Sequence, residues 1–566
     1  MIKKIKEAVS FESPLHVVQI ITFTFVIELL LSSIMFLAGL CITWPFFFVS
    51  FALSALVTIV VDKEKVSWFE ILLSLIIIVF LSWICGLIFD YSYDGNAYHK
   101  VAVGLLKNNW NPFFSKPNLS LTEKLASASF NDNVYIESYC KITWIFGASI
   151  YAVTGLIETG KSYTLLAMLC SFLLVFYYMR KKEYKLSISF LTSILVMLNP
   201  IAVQQIFTFY IDGFLHTIIF MLIIALIMLE DRQTFDMGQS ASLVAGLMII
   251  CGNIKFTGLL YGGLFCIAFY LYDFYKEFKQ QKGISKSIIR ETILYFVLVI
   301  ATVVWGGATT YITNLVRHGS LTYPLTGEGK VDIMTGNSPF TEENHFKNLF
   351  ISLFSKVDNF QNGSGNTTKF KIPFTFSLEE LAKLNIPDAR ISGFGVIFGG
   401  LLIVSVIIMT AWFIKGRNDK KKVIIGLILL VSIALTFGIK ESWWARYSPY
   451  IYAIVLMAAF VSMSSEKVPL KIAAYIFVVL ILFNNCLPLI HTKGYYKDSR
   501  EADAFFEELT YQNEIEISNS EYKGVYFNFK DYGIYYRINS KLEEDDNVNT
   551  TNYLWTKWRA LNNINN

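Results

Sequence analysis

The sequence predicts an all-α polytopic membrane protein of about 13 transmembrane helices, with a small α/β extracytoplasmic region at its C-terminal end. Three observations predict this class. Charged residues make up 16% of the 566 residues, against about 25% in soluble globular chains. The apolar residues, 54% of the chain, gather in solid runs near the roughly 20 residues that cross a bilayer. Those runs do not alternate as the strands of a membrane barrel would. A soluble enzyme, a disordered scaffold and a secreted disulfide protein are thereby excluded. The net charge of +4 gives no sign of a nucleic-acid partner.

The runs fall at about 17–41, 44–61, 68–89, 163–179, 187–207, 214–229, 241–257, 258–275, 291–314, 393–414, 423–438, 447–463 and 471–490. The opening MIKKIKEAVSFESPLHVVQ has no small-residue cleavage site, so the first run reads as a retained anchor. Its Lys3, Lys4 and Lys6 place the N-terminus in the cytoplasm by the positive-inside rule. Three spans then carry the chain outside at Asp90. The apolar stretch 142–157 is ambiguous. If it crossed, Arg180, Lys181, Lys182 and Lys185 would fall outside. Read as an interfacial or re-entrant helix on the outer leaflet, it leaves every basic loop inside, including Lys276 to Arg290 and Lys415 to Lys422. A true span with a missed partner is the alternative.

This topology divides the chain into a transmembrane domain, 1–490, with outer loops 90–162 and 315–392, and a C-terminal region, 491–566. The location is the cell membrane, with the C-terminus outside. The stretch 361–369, QNGSGNTTK, reads as a flexible loop. The seven cysteines show no CxxC spacing and lie mostly in apolar runs, so no zinc or disulfide framework is legible.

Ionisable residues beside membrane spans point to function, and here they collect at the outer ends. DYSYDGNAYHK places Asp90 and Asp94 after the third span, with Tyr98 and His99 on the helix that follows. N-capping that helix is the plain reading of Asp94. NPIAVQQIFTFYIDG brings Asp212 to an outer turn, where Asp-Gly is an ordinary turn pair. Lys255 lies between two spans and could simply snorkel. Glu137, Lys141, Arg317, His318 and Asp332 lie in the outer loops, and Asp388 and Arg390 meet the tenth span in PDARISGFGVIFGG. ESWWARYSPY gathers Glu441, Trp443, Trp444, Arg446 and Tyr447 at one turn. Tryptophan and tyrosine alone would be an interfacial belt; an embedded arginine suits phosphate, because its planar fork donates two hydrogen bonds. Glu28 is the one deep carboxylate inside an apolar run. The cytoplasmic loops look like plain orientation signals. The chemistry is therefore expected outside, where nucleotide-activated donors are absent and a lipid-phosphate-linked sugar fits.

In DYSYDGNAYHK, NPIAVQQIFTFYIDG and ESWWARYSPY, and in its architecture, the chain resembles the GT-C superfamily of polytopic glycosyltransferases, of the protein mannosyltransferase or lipid A aminoarabinose transferase type. The resemblance covers most of the chain up to about 490. It implies inverting transfer of a hexosyl or pentosyl group from a polyprenyl-phosphate donor to a glycan, lipid or protein acceptor in the cell envelope. Asp90 or Asp94 would be the general base. Arg446, Lys255 and Arg317 would hold the donor phosphate. Tyr98, His99, Lys141, Asp212, Trp443, Trp444 and Tyr447 would bind substrate. The family's acids usually sit adjacent or close; these are four apart, which leaves the choice of base open. Asp90 and Asp94 also leave open a divalent metal, Mg or Mn. The rival readings are a transporter or flippase, and a polymerase or ligase, of lipid-linked glycans. A transporter would place ionisable groups at the midplane in inverted repeats, and no repeat is visible. The abundance of Ile, Lys and Asn suggests an AT-rich bacterial genome.

Overall fold

The computed structural model describes residues 11–62, 66–117, 133–281, 283–331, 338–340, 344–359, 369–415, 420–464, 467–512, 514–518, 521–545, 548–551 and 553–561. Lys3, Lys4, Lys6, Asp332 and nearly all of the QNGSGNTTK loop lie outside the described residues.

Among the described residues, eleven helices are long and apolar enough to cross a membrane. The first, Ser13–Leu37, has Pro14 in its first turn, where the missing N–H costs nothing. Trp68–Gly86 opens with a capping box, Ser67 accepting from the Glu70 N–H while the Glu70 carboxylate accepts from the Ser67 N–H. The same carboxylate bonds Ser13 and His16, and His16 reaches Asp62 at 2.9 Å, which clasps the first three helices at one end. Two of the expected spans appear as shorter apolar helices, Leu186–Met197 and Pro449–Met463. The first ends at Asn199-Pro200. Asn199 caps a short helix, Pro200–Gln205, and the chain re-enters at Asp212–Glu230. Leu56, Val60, Val79, Phe80, Phe296 and Val299 stay exposed along the outward helix faces. An apolar belt of this kind is stable in a bilayer and not in water.

The ambiguous stretch forms Ile142–Thr154, 13 residues. At 1.5 Å per residue it is about 20 Å long, short of the roughly 30 Å hydrocarbon core. Gly155, at φ +73°, ends it in the left-handed conformation. The helix does not lie on the surface: every residue from Ile142 to Tyr151 is buried. Its anchor is Ser149, whose hydroxyl donates to Glu28 at 2.7 Å, so the deep carboxylate of the first span finds its partner there.

The expected boundary at 490 falls inside a continuous helical path. Val468–Cys486 passes through a turn at Leu487–His491 into Thr492–Leu509. The path then reaches a four-stranded sheet of β1 (Ile515–Ile517), β2 (Tyr536–Ile538), β3 (Asn549–Thr550) and β4 (Lys557–Ala560), in the order β2-β1-β4-β3. β1 runs parallel to β2 and antiparallel to β4. The helix Val525–Asp531 crosses between β1 and β2 and buries Val525, Tyr526, Phe527 and Phe529.

Polar contacts dock this region onto the first long loop. Lys100 donates to Asn528 at 2.7 Å and to the Tyr553 hydroxyl at 2.9 Å. Glu158 pairs with both Lys100 and Lys161 and accepts from Asn528 and from the Asp90 N–H. Asp531 accepts from the Ile157 N–H at 2.7 Å and from the Tyr151 hydroxyl.

Candidate functional site

At the end of the bundle where this docking occurs, a cavity of about 660 Å³ opens, and five of the chain segments around it carry its charged residues. Each segment is an interruption of helix. Asp94 precedes a single wide turn, Gly95–His99, that leads into Lys100–Lys107. Asp212 is the first residue of its helix. Lys255 is the extended residue between Met237–Ile254 and Phe256–Gln281. Asp388 and Arg390 come from the loop before Phe398–Lys415, with Ala389 between them at φ +47°. Arg446 lies in the short turn Ala445–Tyr447.

Arg446 joins these segments. Its Nη1 reaches Asp94 at 2.8 Å, Asp388 at 3.1 Å and Asp212 at 3.8 Å. Its Nη2 donates to the Tyr447 hydroxyl at 3.0 Å, and His216 Nε2 donates to its carbonyl at 3.0 Å. The guanidinium stacks over Trp444, Tyr447 and Tyr210, 4.5 to 5.2 Å from the ring centres. Burial lowers its proton affinity, but Asp388, Asp94 and Asp212 outweigh that and hold it firmly charged. Lys255 bonds Asp212 at 2.9 Å and stands 3.8 Å above the Tyr447 ring, so it is tied into the site and not merely snorkelling. Arg390 pairs with Asp388 and lies over Trp444 at 4.3 Å. Burial pushes the Asp388 carboxyl above the usual range even with both arginines beside it.

The two candidate bases separate here. Asp94 makes no capping bond; its carboxylate faces the cavity and Arg446. Asp90 is fully buried, and its two oxygens accept from the Ser92 N–H at 2.7 Å and the Phe209 N–H at 2.8 Å. Asp90 shapes the loop and is absent from the cavity wall. A Cβ on Gly95 would lie 2.1 Å from Asp90 Oδ2, so only glycine fits where the loop folds over that carboxylate.

Of the other expected site residues, Tyr98, His99, Asp212, Lys255, Trp444 and Tyr447 also line the cavity. His99 accepts at Nδ1 from Trp144 Nε1 at 2.8 Å, and burial lowers its pKa to about 3, so it is a neutral ring. Three residues fall elsewhere. Arg317 pairs with Glu137 at 2.8 Å and donates to the carbonyls of Pro112 and Phe113. Lys141 is buried between Trp110 and Trp144, donates to the carbonyls of Glu137 and Tyr139, and is pushed down to about 7 by burial. Trp443 packs on Phe340 and Trp444 behind the wall. Sequence reasoning gave no role to Asp388, Arg390, Tyr139 or Tyr210, and missed Asn359, Tyr522 and Trp555. The PDAR step at the foot of a span was the available signal for the first two.

The option of a divalent metal meets an unsuitable donor set. Asp94, Asp212 and Asp388 each face Lys or Arg, and Asp90 is turned onto backbone N–H groups. Among the described residues, no group of three or more His, Cys, Asp or Glu is placed to hold a metal ion.

Beside the cavity lies a mostly apolar slot of about 260 Å³, lined by Ile254, Phe256, Tyr261, Leu325 and Ile439, with Glu441 as a carboxylate on its wall. Tyr139, Lys255 and Tyr447 belong to both walls. The chain matches no protein-family model, and no curated protein matches it.

Proposed function

We propose that this protein is a membrane glycosyltransferase that moves a sugar from a polyprenyl-phosphate donor to an acceptor hydroxyl on the outer face of the membrane. The observation that carries the reading is the shared wall: an ionic cavity meets an apolar slot at Lys255 and Tyr447. A lipid phosphate has that same division, an anion joined to a hydrocarbon chain. With the chain in the slot, the phosphate stands at Lys255 and within reach of Arg446. Arg446 Nε is buried with no partner among the described residues and supplies a donor for it.

The residues then have distinct tasks. Without donor, Arg446 is shared between Asp94 and Asp388. An arriving phosphate draws the guanidinium to itself and releases Asp94. The Asp94 carboxylate accepts the acceptor's hydroxyl proton as that oxygen bonds to the anomeric carbon. The bond from that carbon to the phosphate oxygen breaks on the opposite side, which inverts the centre. Arg446 and Lys255 neutralise the departing lipid phosphate. The aromatic rings around Arg446 exclude water and strengthen each charge interaction.

Asp94→Asn tests the reading. In reconstituted membranes with a polyprenyl-phosphate sugar, transfer should fall about 10²- to 10⁴-fold with the donor still bound. Full transfer by this variant would remove Asp94 from the chemistry.

A further inference from the structure

Three rings at the cavity rim come from distant parts of the chain. Tyr93, 41% exposed, immediately precedes Asp94. Tyr522 and Trp555 belong to the C-terminal region, and Trp555 is 70% exposed. Tyr93 and Tyr522 meet edge to face with centres 5.7 Å apart, and Tyr522 and Trp555 follow at 6.0 Å. All three line the cavity, and none lines the apolar slot. The backbone is bent to present the indole. Leu554 and Trp555 are consecutive non-glycine residues at φ +54° and +51°, a conformation that costs on the order of 1–3 kcal/mol per residue. Its effect is that Leu554 turns inward, 2% exposed, while Trp555 stands out over the cavity.

We infer that Tyr93, Tyr522 and Trp555, with ring planes inclined at 83° and 51°, form an angled stacking platform for a pyranose ring of a glycan acceptor. This rests on the donor reading above and names its acceptor class. Aromatic faces carry negative electrostatic potential, and the C–H face of a pyranose carries the complementary positive one. Rings with two side-chain torsions give contact area at low entropic cost. The hydroxyl rim of such a sugar needs polar partners, and Asn359, in the same cavity, has a buried Oδ1 with no partner among the described residues. Tyr93 and Asp94, the base that must reach the acceptor hydroxyl, line the same cavity. The slot takes the donor's chain on the wall of Tyr139, Lys255 and Tyr447, which leaves the rim free for the acceptor.

The test is direct binding of maltohexaose, chitohexaose and xylohexaose to the full chain in nanodiscs, measured calorimetrically without donor. At least one should bind, with affinity lowered about tenfold in Trp555→Ala and Tyr522→Ala and largely kept in Trp555→Phe. Tyr511→Ala, at an 87% exposed position outside the cavity wall, should bind as the parent does and controls for folding of the C-terminal region. Equal binding by the parent and Trp555→Ala overturns the platform. So does binding of a polypeptide in place of every oligosaccharide, or binding of none of the three. Donor turnover is scored separately. Oligosaccharide binding with no turnover would instead sink the donor reading and leave the platform standing.

Discussion

Glu158→Gln tests the docking that builds the cavity. Glu158 lies between Lys100 and Lys161, and both lysine side chains are 0% exposed. Asp90, fully buried and bonded through its N–H to Glu158, is the second carboxylate of this group. Two buried cations and two buried carboxylates therefore share this group, Glu158 in direct contact with both lysines and Asp90 acting on them through space. Removing the Glu158 charge leaves one cation uncompensated, at a cost of about 3–5 kcal/mol. Lys100→Met leaves one anion uncompensated and should cost a similar amount. The double variant restores neutrality, leaving the charges of Lys161 and Asp90 to balance through space. Its cost should fall short of the sum of the singles by about 2–3 kcal/mol. The assay is unfolding of the purified protein in mixed micelles, followed by tryptophan fluorescence, with tryptic release of the C-terminal region as a second readout. Both lysine and glutamate contact the C-terminal side, through Asn528, so the singles should release that region at lower denaturant. Additive costs in the double variant would refute the reasoning, because independent sites add and a shared charge balance does not.

Two further outcomes follow from the cavity. Arg446→Lys keeps the charge but loses the fork that spans Asp94, Asp388 and Tyr447. Two charge-assisted hydrogen bonds forgone correspond to about 2 kcal/mol or more, so donor affinity should fall about 30-fold or further in a binding assay, and an unchanged affinity would count against a phosphate role. His99 gives a pH dependence. Its folded pKa of about 3 lies below the ordinary 6.5, so between these values the unfolded chain binds the proton and the folded chain does not. Its stabilising contribution is complete above pH 6.5 and is lost as pH falls toward 3, by up to about 1.4 kcal/mol per unit. His99→Gln should flatten that slope in denaturation curves at pH 6.5, 5.5 and 4.5; an unchanged slope would show that other groups carry it.

Much of the membrane portion was legible because lipid imposes a one-dimensional rule: a helix facing hydrocarbon must be continuously apolar. The stretch 142–157 was marked as a non-crossing helix by the sidedness of the basic loops that follow it, but its burial against the first span was not legible, since that depends on Ser149 meeting Glu28 across the bundle. Asp94, Asp212, Lys255 and Arg446 could be picked out because charges at span ends are costly and rare. Choosing between Asp90 and Asp94 could not be done from the chain. Both are aspartates in one short loop, and only the fold turns one onto backbone N–H groups and the other onto Arg446. Arg317 and Lys141 resembled cavity residues by type and depth, yet each is absorbed by carbonyls nearby.

The amino-acid order thus carried the information that is additive along the chain, namely which segments belong in lipid and which few ionisable residues stand at their ends. Which of those residues share a site is not additive. Arg446 meets Asp94 across 352 positions, and Trp555 reaches the same cavity through a C-terminal region docked by contacts such as those of Lys100, Glu158 and Asp531. A side chain's pairing depends on distance and on the water excluded around it, and both come into being when the helices and the small sheet pack.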